Sequence, residues 1–163
     1  MTDRIRAFSE EEAASAGAAP AALVAITTFL EGCTIKQLSR VVALSHSATV
    51  RLVDKLEEQG LVVRRSSDDG RAVALHPTRR GRTRGAAILA ARERATEDLL
   101  GELPSDQRRT LVGLMEELLA ILVHHGADPF QVCRLCDADA CGHWSGRCPV
   151  TEVGRQRATP EGG

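Results

Sequence analysis

The chain has 163 residues, of which 43% are hydrophobic, 26% charged and 2% aromatic, with a formal net charge of −1. That is enough apolar material for one or two small domains, with cores of Leu, Val, Ile and Ala that suit helices. No apolar run approaches the length needed to span a bilayer, and the opening MTDRIRAFSEEE lacks a signal-peptide pattern, so no membrane partner and a cytoplasmic location are expected.

Residues 1–19 are Ala-rich and acidic, and Ser9 with Glu12 resembles a capping box, which predicts an N-terminal helix or arm starting near Glu10. Pro20 suits the first turn of a second helix, whose Leu23, Val24, Ile26 and Leu30 should pack on the next two helices. Cys33 stands alone, as a small buried hydrophobe would. Thr34 is a plausible N-cap, followed by Leu38, Val41 and Val42 on one helical face, with Leu44 closing a tight turn. Ser45 or Ser47 caps the next helix, in which Leu52, Val53 and Leu56 face inward until Gly60 stops it. Two short helices about a tight turn predict a helix-turn-helix. Leu61–Arg65 and Arg71–Leu75 then read as strands around Ser66-Ser67-Asp68-Asp69-Gly70, where Asp-Gly signals a hairpin. A hairpin directly after a helix-turn-helix is a wing.

Charge points the same way. Thr34 to Gly85 holds eleven Lys and Arg against five Asp and Glu, a local charge of +6 in a chain of −1. Such asymmetry marks a phosphate-binding surface, so double-stranded DNA is the expected partner. The candidate contacts are Ser45, His46, Ser47, Arg51 and Lys55 on the second helix, with Arg64, Arg65 and Arg71 on the wing.

Several runs here resemble the winged-helix domain of the MarR family of bacterial transcription regulators. They are Gln37-Leu38-Ser39, Leu44-Ser45, Arg51 to Glu57, Gly60-Leu61-Val62, and Asp69-Gly70-Arg71 followed by Thr78-Arg79-Arg80-Gly81. The resemblance covers roughly residues 20–125 and implies a dimeric DNA-binding regulator. It also implies that Asp69 braces Arg71, which reaches the minor groove. One departure is His76-Pro77, inserted where the family runs from Leu directly to Thr.

Thr78 to about Gly101 reads as a long helix with a basic start and an apolar stripe of Ile88, Leu89, Leu99 and Leu100. Leu103-Pro104-Ser105 breaks it, and Ser105 is the expected cap of a last helix, Asp106 to about His125. Leu111, Leu114, Met115, Leu118, Leu119 and Leu122 give that helix an apolar face wider than one small core uses, which predicts a homodimer.

The chain then changes character. Cys133, Cys136, Cys141 and Cys148 follow the spacing C-x2-C-x4-C-x6-C and end in Cys-Pro. Four thiolates satisfy the ligand count of a tetrahedral zinc ion or an iron–sulfur cluster. Only Cys133/Cys136 make a zinc-type knuckle, and the uneven run ending in Cys-Pro resembles iron–sulfur ligation, which is favoured slightly. Phe130 and Trp144 are candidates to shield such a cluster, and His143, read first as a surface-loop histidine, is the alternative ligand that could replace a cysteine. Paired carboxylates, a nucleophile elbow and a Gly-rich phosphate loop are all missing, and four Cys ligands leave no open coordination position, so no enzyme is expected.

The expected fold class is mainly α with a small β-wing, a winged helix-turn-helix with a helical dimerisation region. The expected division is 1–19 arm, 20–85 DNA-binding domain, 86–127 dimerisation region, 128–150 Cys-rich motif and 151–163 disordered tail. The expected function is a DNA-binding transcription regulator whose cysteine centre senses redox state, oxygen, nitric oxide or iron. The alternative is a regulator with structural zinc, switched by a small organic effector. A metalloprotein or electron carrier on a winged-helix scaffold ranks below both.

Overall fold

The computed structural model describes residues 17–66 and 72–158. The helix expected near Glu10, the wing residues 67–71 with Asp69 and Arg71, and residues 159–163 lie outside the described residues. The chain runs through a helix over residues 17–28 (α1), α2 (Ile35–Val42), α3 (His46–Glu58), β1 (Val62–Ser66) and β2 (Val73–Pro77). It continues through α4 (Arg79–Gly101), α5 (Ser105–His124), α6 (Pro129–Cys133) and α7 (Pro149–Ala158). The class is the expected one, mainly α with one two-stranded antiparallel sheet. The chain divides into two compact units, residues 1–88 and 89–163.

In the first unit the turn chemistry is local. Thr34 caps α2 by accepting from the Gln37 N–H at 3.3 Å, while the Gln37 side chain accepts from the Thr34 N–H at 2.8 Å, a complete capping box. Ala43 takes a left-handed conformation, φ 54°, to close the turn. Ser45 rather than Ser47 caps α3, accepting from the Ala48 N–H at 3.2 Å. Gly60, at φ 66°, then turns the chain out of α3. The core joins Ala22, Leu23 and Ile26 of α1, Leu38 and Val42 of α2, Leu52, Val53 and Leu56 of α3, and Leu61, Val62, Leu75 and Cys33. Burial pushes the Cys33 thiol up to about 11, so it stays a neutral core side chain. Pro20 is the fourth of the described residues of α1, after the helical residues 17–19.

The strands differ from expectation by register. β1 starts one residue later, and β2 runs on through His76 and Pro77, with Val62 opposite Pro77 and Ser66 opposite Val73. The two inserted residues extend the strand, and Pro77 closes the ladder where its missing N–H costs nothing. Thr78 then caps α4, accepting from the Gly81 N–H at 3.0 Å while donating to the Gly60 carbonyl at 2.7 Å.

The second unit departs further. Ser105 is not the cap of α5: Pro104 holds the cap position with no side-chain bond, and Ser105 is already helical. Nor is α5 the last helix. Asp128 caps α6 by accepting from the Phe130 N–H at 2.9 Å, with Pro129 in the first turn. Residues 151–158, expected to be disordered, belong to α7, which has Pro149 at its start and Glu152 in its first turn, both favourable there. α7 packs against α5 and α6. Leu99, placed on the apolar stripe of α4, is 76% exposed.

Candidate nucleic-acid interface and cysteine centre

Leu52, Val53 and Leu56 anchor one side of α3 in the core, so its other side is exposed. There Ser47, Arg51 and Lys55 follow one another at four-residue spacing and share a stripe, with His46 beside them in the first turn. Ser45 is exposed too, but its hydroxyl serves as the cap and lies 3.2 Å from the Ser47 hydroxyl. Thr49, on the buried side, donates to the Ser45 carbonyl at 2.9 Å, which satisfies its hydroxyl within the core.

On the wing, Arg65 is exposed while Arg64 is turned back onto α3. Its guanidinium pairs with Asp54 at 2.6 Å and with Glu57. Burial alone would lower the Arg64 pKa, but the hydrogen bonds with Asp54 and Glu57 outweigh it and raise the value. The opposite wing edge is tied as well: Leu75 donates to the Cys33 carbonyl at 2.9 Å and accepts from Gly32 at 2.8 Å.

The basic start of α4 is divided in use. Arg82 pairs with Glu31 at 2.7 Å, and that hydrogen bond is the main reason the Glu31 carboxyl sits below its ordinary value. Arg79, Arg80 and Arg84 instead line a hollow of about 830 Å³ with Gln59, Leu61, Thr83 and Ala87.

In the second unit the four cysteines are brought into electrostatic reach of one another, and all are free thiols. Cys133 and Cys136 perturb each other most strongly, Cys141 and Cys148 interact more weakly, and the Cys141 thiol donates to the Ala138 carbonyl at 3.7 Å. Cys133 is pushed far up by the Cys136 hydrogen bond, burial and the other thiols. Cys136 is lowered to about 7, first by the hydrogen bond from Cys133 and further by the Arg92 charge, against the effect of burial. Burial first, then Cys148, raises Cys141 to about 11. Among the described residues no three His, Cys, Asp or Glu side chains form a ready ligand set for a metal ion as they stand. Cys148 directly precedes α7, and its carbonyl accepts from the Glu152 N–H at 3.1 Å. Phe130 and Trp144 are themselves 50% and 65% exposed, while Cys133 and Cys148 are buried. His143 shares a hydrogen bond with the Thr151 hydroxyl at 2.8 Å. Arg92 was missed in the sequence because it sits on α4, 44 positions before Cys136, with no local signal to connect them.

Among the described residues no helix is long and apolar enough to cross a membrane. Residues 17–72 match the model of the family described as MarR family. The chain is 28% identical over 87 residues to an uncharacterized HTH-type transcriptional regulator, YwhA, of Bacillus subtilis (strain 168), covering 53% of this chain and 63% of that protein. It is 35% identical over 88 residues to a putative transcriptional regulatory protein for the hcr operon of Thauera aromatica, covering 53% of each. The chain therefore spans between about half and two thirds of the length of these curated relatives. The crystal structure of MarR is similar with a TM-score of 0.57 and 25% identity, over 66% of this chain and 74% of that one. Fold and family match agree: residues 17–72 are similar to the MarR family, and the fold is that of its winged-helix regulators.

Proposed function

We propose that this protein is a homodimeric, sequence-specific DNA-binding transcription regulator of the MarR type, carrying a tetrathiolate centre that senses redox state, oxygen, nitric oxide or iron. The observation that carries the DNA-binding reading is the exposed Ser47, Arg51 and Lys55 stripe on a core-anchored helix, followed directly by a wing. Arg51 and His46 suit base edges in the major groove, where Arg is the commonest partner of guanine. Lys55 and Arg65 suit phosphates. Asp69 and Arg71 take the minor-groove role that the resemblance assigns, where a narrow groove concentrates negative potential. Arg71→Ala is expected to weaken binding to all A·T-flanked sites, whereas Arg51→Ala should relax base preference at a cost of about 1–3 kcal/mol. Titrating both variants against the same duplexes checks this, and unchanged affinity for Arg71→Ala counts against the wing role.

The sensing reading is supported by the four-cysteine run ending in Cys-Pro, whose thiols influence one another's titration. Cys133, Cys136, Cys141 and Cys148 would hold the centre, with Arg92 offsetting its negative charge. An iron–sulfur cluster would supply sensitivity to oxidants and nitric oxide; zinc would supply structure alone. Iron, sulfide and zinc content of anaerobically purified protein separates the two. DNA affinity should then differ between holo protein, chelated protein and Cys136→Ser by about 1–3 kcal/mol, the usual size of allosteric coupling. Three folded forms with equal affinity would defeat the sensor reading.

A second reading keeps the DNA-binding role and places the signal elsewhere. The hollow lined by Arg79, Arg80 and Arg84 favours an organic anion as effector. Zinc in the purified protein, together with an affinity that responds to small carboxylates, would select it.

A further inference from the structure

The base of the wing is held from both edges. On the β2 side Leu75 exchanges two backbone hydrogen bonds with Gly32 and Cys33. On the β1 side the bond is made by side chains of α3. The Arg64 backbone N–H, on the open edge of β1, donates to Glu57 Oε1 at 3.1 Å. Its guanidinium forks, with Nη2 donating to Asp54 Oδ1 at 2.6 Å and Nη1 to Glu57 Oε2. Asp54 and Glu57 stand three residues apart, so both carboxylates project from the same side of α3 and meet one planar fork. A two-stranded hairpin has little rigidity of its own. Without the β1 tether it would pivot about its β2 edge, and whatever its tip reaches would move with it.

We propose that Arg64 is a positioning residue for DNA recognition: it sets the wing against α3 and makes no contact with DNA itself. This rests on the DNA-binding reading above and departs from the sequence expectation, which placed Arg64 among the contacts.

The two roles predict opposite signs for the carboxylates. DNA is a polyanion, so removing an acid beside the interface should strengthen binding if Arg64 contacts phosphate, because it frees a cation and removes a repulsion. If Arg64 positions the wing, losing its partners weakens binding as losing Arg64 does. The side chains are 27%, 48% and 38% exposed for Arg64, Asp54 and Glu57, so the ion pairs contribute little to stability and the variants should fold.

The test uses a duplex that the wild-type chain selects from a random pool, with thermal midpoints recorded for every variant. Arg64→Gln, Arg64→Lys, Asp54→Asn and Glu57→Gln should each bind roughly tenfold more weakly, a coupling typical of residues in contact. Arg64→Lys belongs with the losers because an ammonium keeps the charge but cannot make the fork. The double variant Glu57→Gln/Arg64→Gln should be no weaker than Arg64→Gln alone. Carboxylate variants that bind as well as or better than wild type overturn the proposal. So does a fall of about 0.9 in the salt slope for Arg64→Gln, the signature of one lost phosphate contact on duplex DNA. A wild-type chain that selects no duplex is a different result, since it overturns the DNA-binding reading before any variant is made.

Discussion

Gly81→Ala should destabilise the first unit by about 2–4 kcal/mol, well above the usual surface substitution. The ordinary expectation for a helical glycine is the reverse, since alanine favours a helix by roughly 1 kcal/mol. Here a Cβ would lie 1.9 Å from the Leu61 carbonyl oxygen and 2.9 Å from its carbon. That oxygen cannot swing aside as a side chain could. It accepts from the Thr78 N–H at 3.0 Å and from the Thr78 hydroxyl at 3.3 Å, at the junction where the wing hands over to α4. Moving it disturbs the start of β1 and the cap of α4 together. Thermal unfolding of the variant decides the matter: a midpoint within a degree or two of wild type would mean that α4 can shift away from Leu61 without loss.

The same residues show how much was legible in the chain alone. Gly81 was visible as part of a Thr78-Arg79-Arg80-Gly81 run, but its reason, a backbone crossing twenty positions away, was not. The winged helix was legible because its signals are local: Thr34 and Ser45 cap their helices, Gly60 ends α3, and Leu38, Leu52 and Leu56 fall at helical spacing. His76 and Pro77 looked like an interruption, since nothing local says that a strand may run on into Pro77 opposite Val62. The second unit was harder for a related reason. α7 is a ten-residue helix with polar composition, and such helices are held by their packing partners rather than by propensity. Pro149 and Glu152 are start signals, but the polar, Gly-ended run that follows Cys148 reads as a disordered tail. In the site, single-residue chemistry was legible and pairing was not. The four cysteines were found by spacing, whereas Arg92 near Cys136, and Arg64 committed to Asp54 and Glu57, came only with the fold.

Leu118→Glu is expected to yield a monomer that loses at least a hundredfold in affinity for a two-half-site duplex. On α5, Leu111, Leu114, Met115, Leu118 and Leu122 recur at intervals of three and four and form one stripe, with Ile121 beside it. These side chains are 37–54% exposed, so half of a continuous Leu and Met surface faces outward. A second copy of the chain presents the same stripe, and a two-fold axis lets each residue meet its counterpart without any new chemistry. Such an axis also suits DNA, because paired recognition helices one turn apart read a pseudo-palindrome. The affinity follows from the linkage: once one half-site is bound, the second binding becomes intramolecular and gains about 10²–10⁴. A carboxylate at position 118 would be buried in the interface opposite its own copy, an unpaired like-charge contact that costs far more than the apolar burial it replaces. Light scattering with and without duplex reads the state, and titration reads the affinity. The dimer assignment fails if wild type is monomeric in both conditions, or if Leu118→Glu is monomeric and still binds the duplex at full strength.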